Sequence, residues 1–165
     1  MNRTIQAVLL TKEAFAPFGD VIEIAGEPDY VINRGMCGRF HDLAEIATED
    51  GGRAGISLFK SETRAFPYSL DLMERHPLGS QAFIPMSADP FLVTVAPDDN
   101  GRPGRPVAFV TLPGQGVNYR RNTWHGVLTP LHAPGLFAVV DRIGGGNNLE
   151  EYPLDEPYVI TAPDA

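Results

Sequence analysis

Short apolar runs cut by turn-forming residues dominate the second half of the chain, and this pattern limits the fold more than any other feature. The runs cover residues 82–84, 91–95, 107–112, 117–119, 127–131 and 136–143. Segments dense in proline, glycine and charge, such as residues 98–106, separate them. Fifteen prolines and seventeen glycines leave little room for long helices. The pattern predicts a mainly β sandwich or barrel with few short helices.

The first half of the chain adds one short helix and further strands. Thr11 is placed to cap the N-terminus of a helix over residues 12–16. Residues 26–38 contain many turn formers and are predicted to form a loop. Residues 70–76 include good helix formers, but Pro77 follows at once and the neighbouring runs are strands. A strand is therefore the favoured interpretation of residues 70–76.

Length, charge and cysteine content bound the class of protein. The 165 residues are predicted to form a single domain, residues 1–165, with a core of ordinary size. Cys37 is the only cysteine, so no internal disulfide is expected. A net charge of −8 argues against nucleic acid or an anionic membrane as partner. No apolar segment has spanning length, and the N-terminus lacks a secretory pattern, so we expect a soluble cytoplasmic protein.

Two stretches carry side chains capable of chemistry. The first, residues 74–86, contains Glu74, His76 and Gln81 just ahead of an apolar strand. If residues 72–77 are extended, Glu74 and His76 lie on one face, because side chains alternate along a strand. The second stretch, residues 114–125, ends in His125 after a glycine-rich turn. We predict that the two stretches meet inside one β-barrel and form its site.

The same four residues also offer a ligand set for a divalent metal. A carboxylate and a histidine two residues apart, a polar side chain five residues on and a distant histidine could converge on one ion, held by Glu74, His76, Gln81 and His125. The spacing resembles the two short motifs of the cupin superfamily. Gln81 is a poor ligand, however, and Glu74 stands where cupins commonly have histidine. A bound metal is therefore possible, but no cofactor is required.

Longer strings narrow the resemblance to one family. ERHPLGSQAFIP over residues 74–85, GQGVNYRRNTWH over residues 114–125 and VVDRIGGGNNLEE over residues 139–151 resemble the ureidoglycolate lyases of microbial purine breakdown, long described as ureidoglycolate hydrolases. RFHDLAEI over residues 39–46 and ISLFKSE over residues 56–62 fit the same pattern. The resemblance implies a cupin-like β-barrel or jelly roll, a homodimer, and cleavage of ureidoglycolate to glyoxylate and urea in the cytoplasm.

The chain departs from the family pattern at two positions. The family usually has a Tyr-His pair where this chain has Tyr119 and Arg120, and a His-His pair where it has His125 and Gly126. If either missing histidine takes part in catalysis or metal binding, the activity of this chain would be altered or absent. Arg120 would then contribute charge to the rim of the same site.

The expected chemistry needs a base and an acid. Ureidoglycolate carries a hydroxyl, a carboxylate and a ureido nitrogen on one carbon, and urea leaves when the hydroxyl proton is removed and the nitrogen is protonated. We predict that His125 or Glu74 is the base and that His76 is the acid. Gln81 is predicted to hydrogen-bond the ureido group.

Three further residues are predicted to bind the substrate. An arginine suits a carboxylate because its planar fork makes two parallel hydrogen bonds. Arg142 and Arg39 are the candidates, whereas Arg75 is expected to face away from Glu74 and His76. Tyr119 is a further candidate, with packing at the barrel mouth as the alternative for its ring.

Three other functions remain open at this stage. An amidohydrolase acting on the same substrate would release ammonia and carbon dioxide, and would need an activated water. A metal-dependent cupin oxygenase or isomerase would need a tightly bound metal at Glu74, His76, Gln81 and His125. A non-catalytic barrel that binds a small carboxylate would keep its arginine contacts and tolerate loss of His76 and His125.

Overall fold

Strands make up nearly all of the regular structure. The computed structural model describes residues Met1–Ala165 and contains one four-residue helix. In chain order the elements are β1 Thr4–Gln6, β2 Val8–Leu9, α1 Lys12–Phe15, β3 Gly19–Ile22, β4 Tyr30–Ile32, β5 Cys37–Arg39, β6 Arg53–Lys60, β7 Tyr68–Arg75, β8 Gln81–Pro85, β9 Phe91–Ala96, β10 Asp98–Asp99, β11 Arg102–Pro103, β12 Val107–Val110, β13 Gly116–Tyr119, β14 Trp124–His125, β15 Thr129–Pro130, β16 Leu136–Ile143 and β17 Glu150–Thr161. No helix is both long and apolar enough to cross a bilayer.

Two large sheets form a nearly closed barrel. The eight-stranded sheet has the order β1-β17-β7-β14-β9-β12-β2, with β15 also paired to β9. The five-stranded sheet has the order β3-β13-β8-β16-β6. Two short hairpins, β4–β5 and β10–β11, pair only within themselves. The predicted fold class, a mainly β, cupin-like barrel with few short helices, is confirmed.

The core fills the space between the sheets and continues behind one of them. Phe91, Val93 and Val95 of β9 point into a cluster of thirteen buried residues that also includes side chains of the five-stranded sheet. Leu92 and Ala96 point to the other side of β9 and join a second cluster of eleven residues. Because successive side chains face opposite ways, a strand buried on both faces reads as one continuous apolar run.

Two local predictions from the first half of the chain are confirmed. The side chain of Thr11 accepts a hydrogen bond from the Ala14 backbone nitrogen at 3.2 Å and caps α1. The helix ends at Phe15, one residue before its predicted end. Residues 70–76 lie almost entirely in β7, which pairs with β17 on one side and β14 on the other. These neighbours outweigh the helical propensity of the segment, which is a weak preference.

The structure also contains elements that the sequence pattern does not reveal. β17 is the longest strand, although it contains Pro153 and Pro157. Its pairing with β7 shifts register between Pro153 and Tyr158, and such an irregularity accommodates residues that cannot donate to the ladder. The segment predicted as a loop, residues 26–38, instead contains most of the β4–β5 hairpin.

Candidate active site

Glu74 and His125 form the centre of the site. They are directly opposed on the antiparallel strands β7 and β14, so their side chains share one face of the sheet. His76 follows β7 by one residue, and its ring centroid lies 5.2 Å from that of His125. The structure therefore brings His125 to Glu74 and His76, although it lies 51 and 49 residues from them in the sequence.

A chain of hydrogen bonds fixes the orientation of His76. Its Nδ1 donates to the backbone carbonyl of Asn148 at 2.8 Å. Its Nε2 lies 3.0 Å from Oε1 of Gln81, whose amide nitrogen donates to Oδ2 of Asp141 at 3.1 Å. A carboxylate accepts hydrogen bonds and does not donate them, so Asp141 directs the amide oxygen of Gln81 toward His76. Both ring nitrogens of His76 thus face acceptors, an arrangement that the imidazolium form satisfies.

His125, in contrast to His76, has one ring nitrogen without a hydrogen-bond partner. Its Nδ1 donates to the carbonyl of Gly126 at 2.9 Å, while its buried Nε2 has no hydrogen-bond partner. Burial, with a contribution from the charge of His76, lowers the pKa of His125 to about 3. The ring is therefore neutral at pH 7 with its proton on Nδ1, and Nε2 presents a free lone pair.

Glu74 and Tyr119 are both shifted toward their neutral forms. Burial raises the pKa of Glu74 above its ordinary value; the charge of His76 acts against this shift and that of Glu151 adds to it. Burial and the charge of Glu74 raise the pKa of Tyr119, so its hydroxyl keeps its proton and remains a donor. The ring of Tyr119 stacks on His125. The cluster therefore combines a carboxylate that is more basic than usual with hydrogen-bond donors on the side chains around it.

The donor set is compatible with a divalent metal when His76 is neutral, because an imidazolium has no lone pair to give to a metal. Glu74, His76 and His125 each offer one ligand atom, and these atoms lie within 4.8 Å of one another. The unpartnered Nε2 of His125 is suited to act as a ligand, since nitrogen and oxygen donors of this kind bind first-row metals. Gln81 lies beside His76 and is the fourth predicted ligand. A bound ion would supply polarisation of a substrate oxygen.

The two arginines predicted to hold the carboxylate lie outside this cluster. Arg142 is on the opposite face of β16 from Asp141, and its guanidinium donates to the carbonyls of Glu49 at 2.8 Å and Asp50 at 3.4 Å. Arg39 lies on the exposed β4–β5 hairpin. The interior-facing cluster thus contains no arginine in this structure.

Arg75 faces away from the cluster, as expected for its place between Glu74 and His76. Its guanidinium contacts Glu150 at 2.6 Å and Asp98 at 2.8 Å, and lies 4.3 Å from the centroid of the Trp124 ring. These contacts tie β7 to its surroundings on the outer side of the sheet.

The two departures from the family pattern have different surroundings. The guanidinium of Arg120 donates to the carbonyls of Ala16 and Pro17, at 3.2 and 3.4 Å, and so supports the end of α1. Gly126 is tightly packed, because a Cβ at this position would lie 2.2 Å from Oγ1 of Thr94. A side chain at residue 126 would therefore require the buried side chain of Thr94 to move.

Asp141, Asn148 and Glu151 are site residues that the sequence reasoning missed. All three lie in the string over residues 139–151 that carries part of the family resemblance. Alternation along β16 offers a signal for Asp141, because the buried Val139 two residues earlier fixes the inward face. No comparable pattern marks Asn148, whose backbone carbonyl makes the contact to His76.

Comparison with known proteins gives one consistent result. The family model described as ureidoglycolate lyase matches residues 2–161. A "Ureidoglycolate lyase" of Rhodobacter capsulatus is 62% identical over 151 residues, which cover 92% of this chain and 94% of the relative. A protein of the same name from Chelativorans sp. is 55% identical over 165 residues, covering 98% and 99%. A "Ureidoglycolate lyase 2" of Rhizobium meliloti is 53% identical over 152 residues, covering 92% and 93%. The chain belongs to the ureidoglycolate lyase family.

Proposed function

We propose that the protein is a ureidoglycolate lyase, which cleaves ureidoglycolate to glyoxylate and urea by general acid/base catalysis. The family membership and the names of the relatives support the substrate. The observation that supports the mechanism is the hydrogen-bond pattern around His76, in which each ring nitrogen faces an acceptor and the ring lies beside the Glu74 carboxylate and the free Nε2 of His125. An acid and two proton acceptors thus share one partly buried space.

In the proposed reaction Glu74 is the base. Its carboxylate removes the proton of the substrate hydroxyl, the oxygen electrons form the carbonyl of glyoxylate, and the carbon–nitrogen bond breaks with its electron pair moving to nitrogen. His76 gives a ring proton to that nitrogen, so urea leaves as a neutral molecule. The raised pKa of Glu74 makes it a better base than an ordinary carboxylate, whereas a pKa of about 3 makes His125 a weak one.

The remaining side chains are assigned to binding. Nε2 of His125 accepts a hydrogen bond from the substrate, because a buried acceptor without a partner is costly until one is supplied. Gln81 contacts the ureido group, and Tyr119 donates from its hydroxyl. Arg39 and Arg142 stay candidates for the carboxylate; Arg142 would first have to release the carbonyls of Glu49 and Asp50.

We further propose that residues 1–165 act as one domain, that the protein is a homodimer and that it works in the cytoplasm. The family resemblance supports the dimer and the location. The single cysteine fits a reducing compartment, since it offers no internal disulfide.

Product analysis tests this function. Purified protein, with and without chelator, is given racemic ureidoglycolate, and urea, ammonia and glyoxylate are quantified above the spontaneous background. We expect equal amounts of urea and glyoxylate, no ammonia and no effect of the chelator. Ammonia in place of urea would assign the protein to the amidohydrolases, and absence of turnover would favour a binding barrel. Loss of turnover on chelation, restored by a divalent ion, would assign a metal to Glu74, His76, Gln81 and His125.

A further inference from the structure

Asn148 lies in the connection between β16 and β17, residues 144–149, which joins the five-stranded sheet to the eight-stranded sheet. Three consecutive glycines, residues 144–146, begin this connection. Gly146 has a φ of +90°, a conformation that residues with a side chain rarely adopt. Because glycine restricts the backbone least, the run by itself does little to fix the position of the asparagine that follows. Contacts to other segments must supply that position.

Strand pairing fixes the connection from its other end only as far as Glu150. The ladder between β17 and β7 ends with Glu150 opposite Arg75, so Asn148 and His76 both lie beyond it. Two hydrogen bonds continue the contact past this last pair. The backbone carbonyl of Asn148 accepts from Nδ1 of His76 at 2.8 Å, and its side-chain Oδ1 accepts from the Leu78 backbone nitrogen at 2.8 Å. One residue therefore holds the segment that carries His76 at two points.

The side-chain bond of Asn148 reaches the first backbone donor after His76. Pro77 has no backbone N–H, so that donor is the nitrogen of Leu78. The side chain of Asn148 makes one hydrogen bond within the chain, and Leu78 is its partner. A hydrogen bond holds its two heavy atoms within a narrow range of distance. The bond to Leu78 therefore sets where the Asn148 carbonyl lies relative to the ring of His76.

We propose that Asn148 is a positioning residue for the acid of the reaction: its side chain fixes the carbonyl that holds the Nδ1 proton of His76. Nε2 is then the ring nitrogen that gives its proton to the ureido nitrogen, and it lies on the side of Gln81. The transfer leaves His76 neutral, with its remaining proton on Nδ1. The proton that Glu74 takes from the hydroxyl restores the imidazolium before the next turnover. The inference rests on the proposed function, in which His76 is the acid.

Three variants test the role of the side-chain oxygen in turnover. Asn148→Leu has a similar shape but no acceptor, so we expect kcat to fall about tenfold, the effect of about one hydrogen bond, with KM nearly unchanged. Asn148→Asp keeps an oxygen for Leu78 and should recover most of that loss. Asn147→Leu is the matched control and should have the kcat of wild type, because the Asn147 side chain contacts Leu149 and not the segment of His76. Initial rates of urea and glyoxylate release give both constants.

Nuclear magnetic resonance provides a readout that does not need turnover. A ring N–H that donates to a carbonyl exchanges slowly with water and gives its own downfield proton signal. The signal of His76 is assigned by its absence in His76→Gln. We expect Asn148→Leu to lose this signal through exchange and Asn148→Asp to keep it. The Nδ1 proton of His125, which is bound to the carbonyl of Gly126, is an internal control that should persist in every variant.

The two readouts separate this inference from the proposed function. If ureidoglycolate is not cleaved, the proposed function fails, and the ring proton signals still decide whether Asn148 positions His76. The inference is overturned if Asn148→Leu keeps the His76 signal or the wild-type kcat, if Asn148→Asp is equally slow, or if the His125 signal is lost as well. If Asn148→Leu fails to fold by circular dichroism, Asn148→Ala replaces it, because it removes the same oxygen and adds no apolar bulk.

Discussion

The rings of Tyr119 and His125 are stacked, with centroids 4.2 Å apart and planes within 1° of parallel. Tyr119 lies in β13 of the five-stranded sheet, and His125 lies in β14 of the eight-stranded sheet. The candidate site is therefore built across the seam between the two sheets. Its geometry depends on how the sheets pack as well as on the residues within each strand.

Replacement of the proposed base should abolish most turnover. Glu74→Gln keeps the size of the side chain but cannot accept the hydroxyl proton, so we expect kcat to fall about 10² to 10⁴-fold. KM should change little if the amide still contacts substrate. Initial rates of urea and glyoxylate release measure both constants. A kcat within about threefold of wild type would transfer the base role from Glu74 to His125.

Glu151, the carboxylate beside Glu74, provides a matched control with a different expected effect on the pH–rate profile. Glu151 is opposite Glu74 on β17, and its charge helps to raise the pKa of Glu74. Glu151→Gln should leave kcat at its plateau nearly unchanged. It should also move the acidic limb of the pH–rate profile to lower pH, because Glu74 then ionises more readily. An unmoved limb would show that Glu74 does not govern that limb.

Asp141 should act through Gln81. Asp141→Asn removes the carboxylate that accepts from the Gln81 amide, so the Gln81 oxygen is no longer fixed toward His76. We expect kcat to fall about tenfold, which is the effect of about one hydrogen bond. A double-mutant cycle with Gln81→Ala tests whether Asp141 acts through Gln81. The double variant should be no slower than Gln81→Ala alone, since the two residues form one chain. Additive losses would mean that Asp141 acts independently.

Buried His125 should weaken the fold in acid. Its pKa is about 3 in the folded protein and ordinarily about 6.5, so the unfolded chain binds a proton first as pH falls. Between those values the unfolding free energy should lose up to about 1.4 kcal/mol per pH unit from this group. The unfolding free energy is measured by urea unfolding at several pH values, and it should depend less steeply on pH in His125→Phe than in wild type. The exposed His132, replaced by Asn, should leave the wild-type slope intact; equal slopes for all three proteins would refute the prediction.

Gly126 should not tolerate a side chain. In Gly126→Ala the new Cβ would meet Oγ1 of Thr94, and we expect a loss of about 1 to 3 kcal/mol in unfolding free energy, typical of overpacking. Gly145→Ala is the matched control, because nothing lies within 4 Å of a Cβ there. Urea midpoints compare the two variants. Equal stability would mean that β14 shifts easily to make space.

Alternation along strands predicted much of the site. It placed Glu74 and His76 on one face, and the structure adds His125 directly opposite Glu74. Applied to β16, the same rule separates inward Asp141 from outward Arg142. The affinity of arginine for carboxylates favours Arg142 as a substrate contact, whereas alternation puts it on the face away from Asp141.

Other features depend on contacts between distant segments. The role of Asp141 requires β8 to lie beside β16, which puts Gln81 opposite Asp141. Periodicity within one strand carries no information about its neighbours. β17 was missed because prolines usually exclude a segment from a sheet interior, whereas here an irregular register accommodates them.

Trp124 is the only tryptophan in the chain, and it directly precedes His125 in a strand of two residues. Its indole nitrogen donates to Asp98 at 2.9 Å, and the ring is almost fully buried. A displacement of β14 that moves His125 must also move this ring. The protein therefore contains a natural optical reporter: the emission of its single tryptophan follows the strand that bears His125, without any attached label.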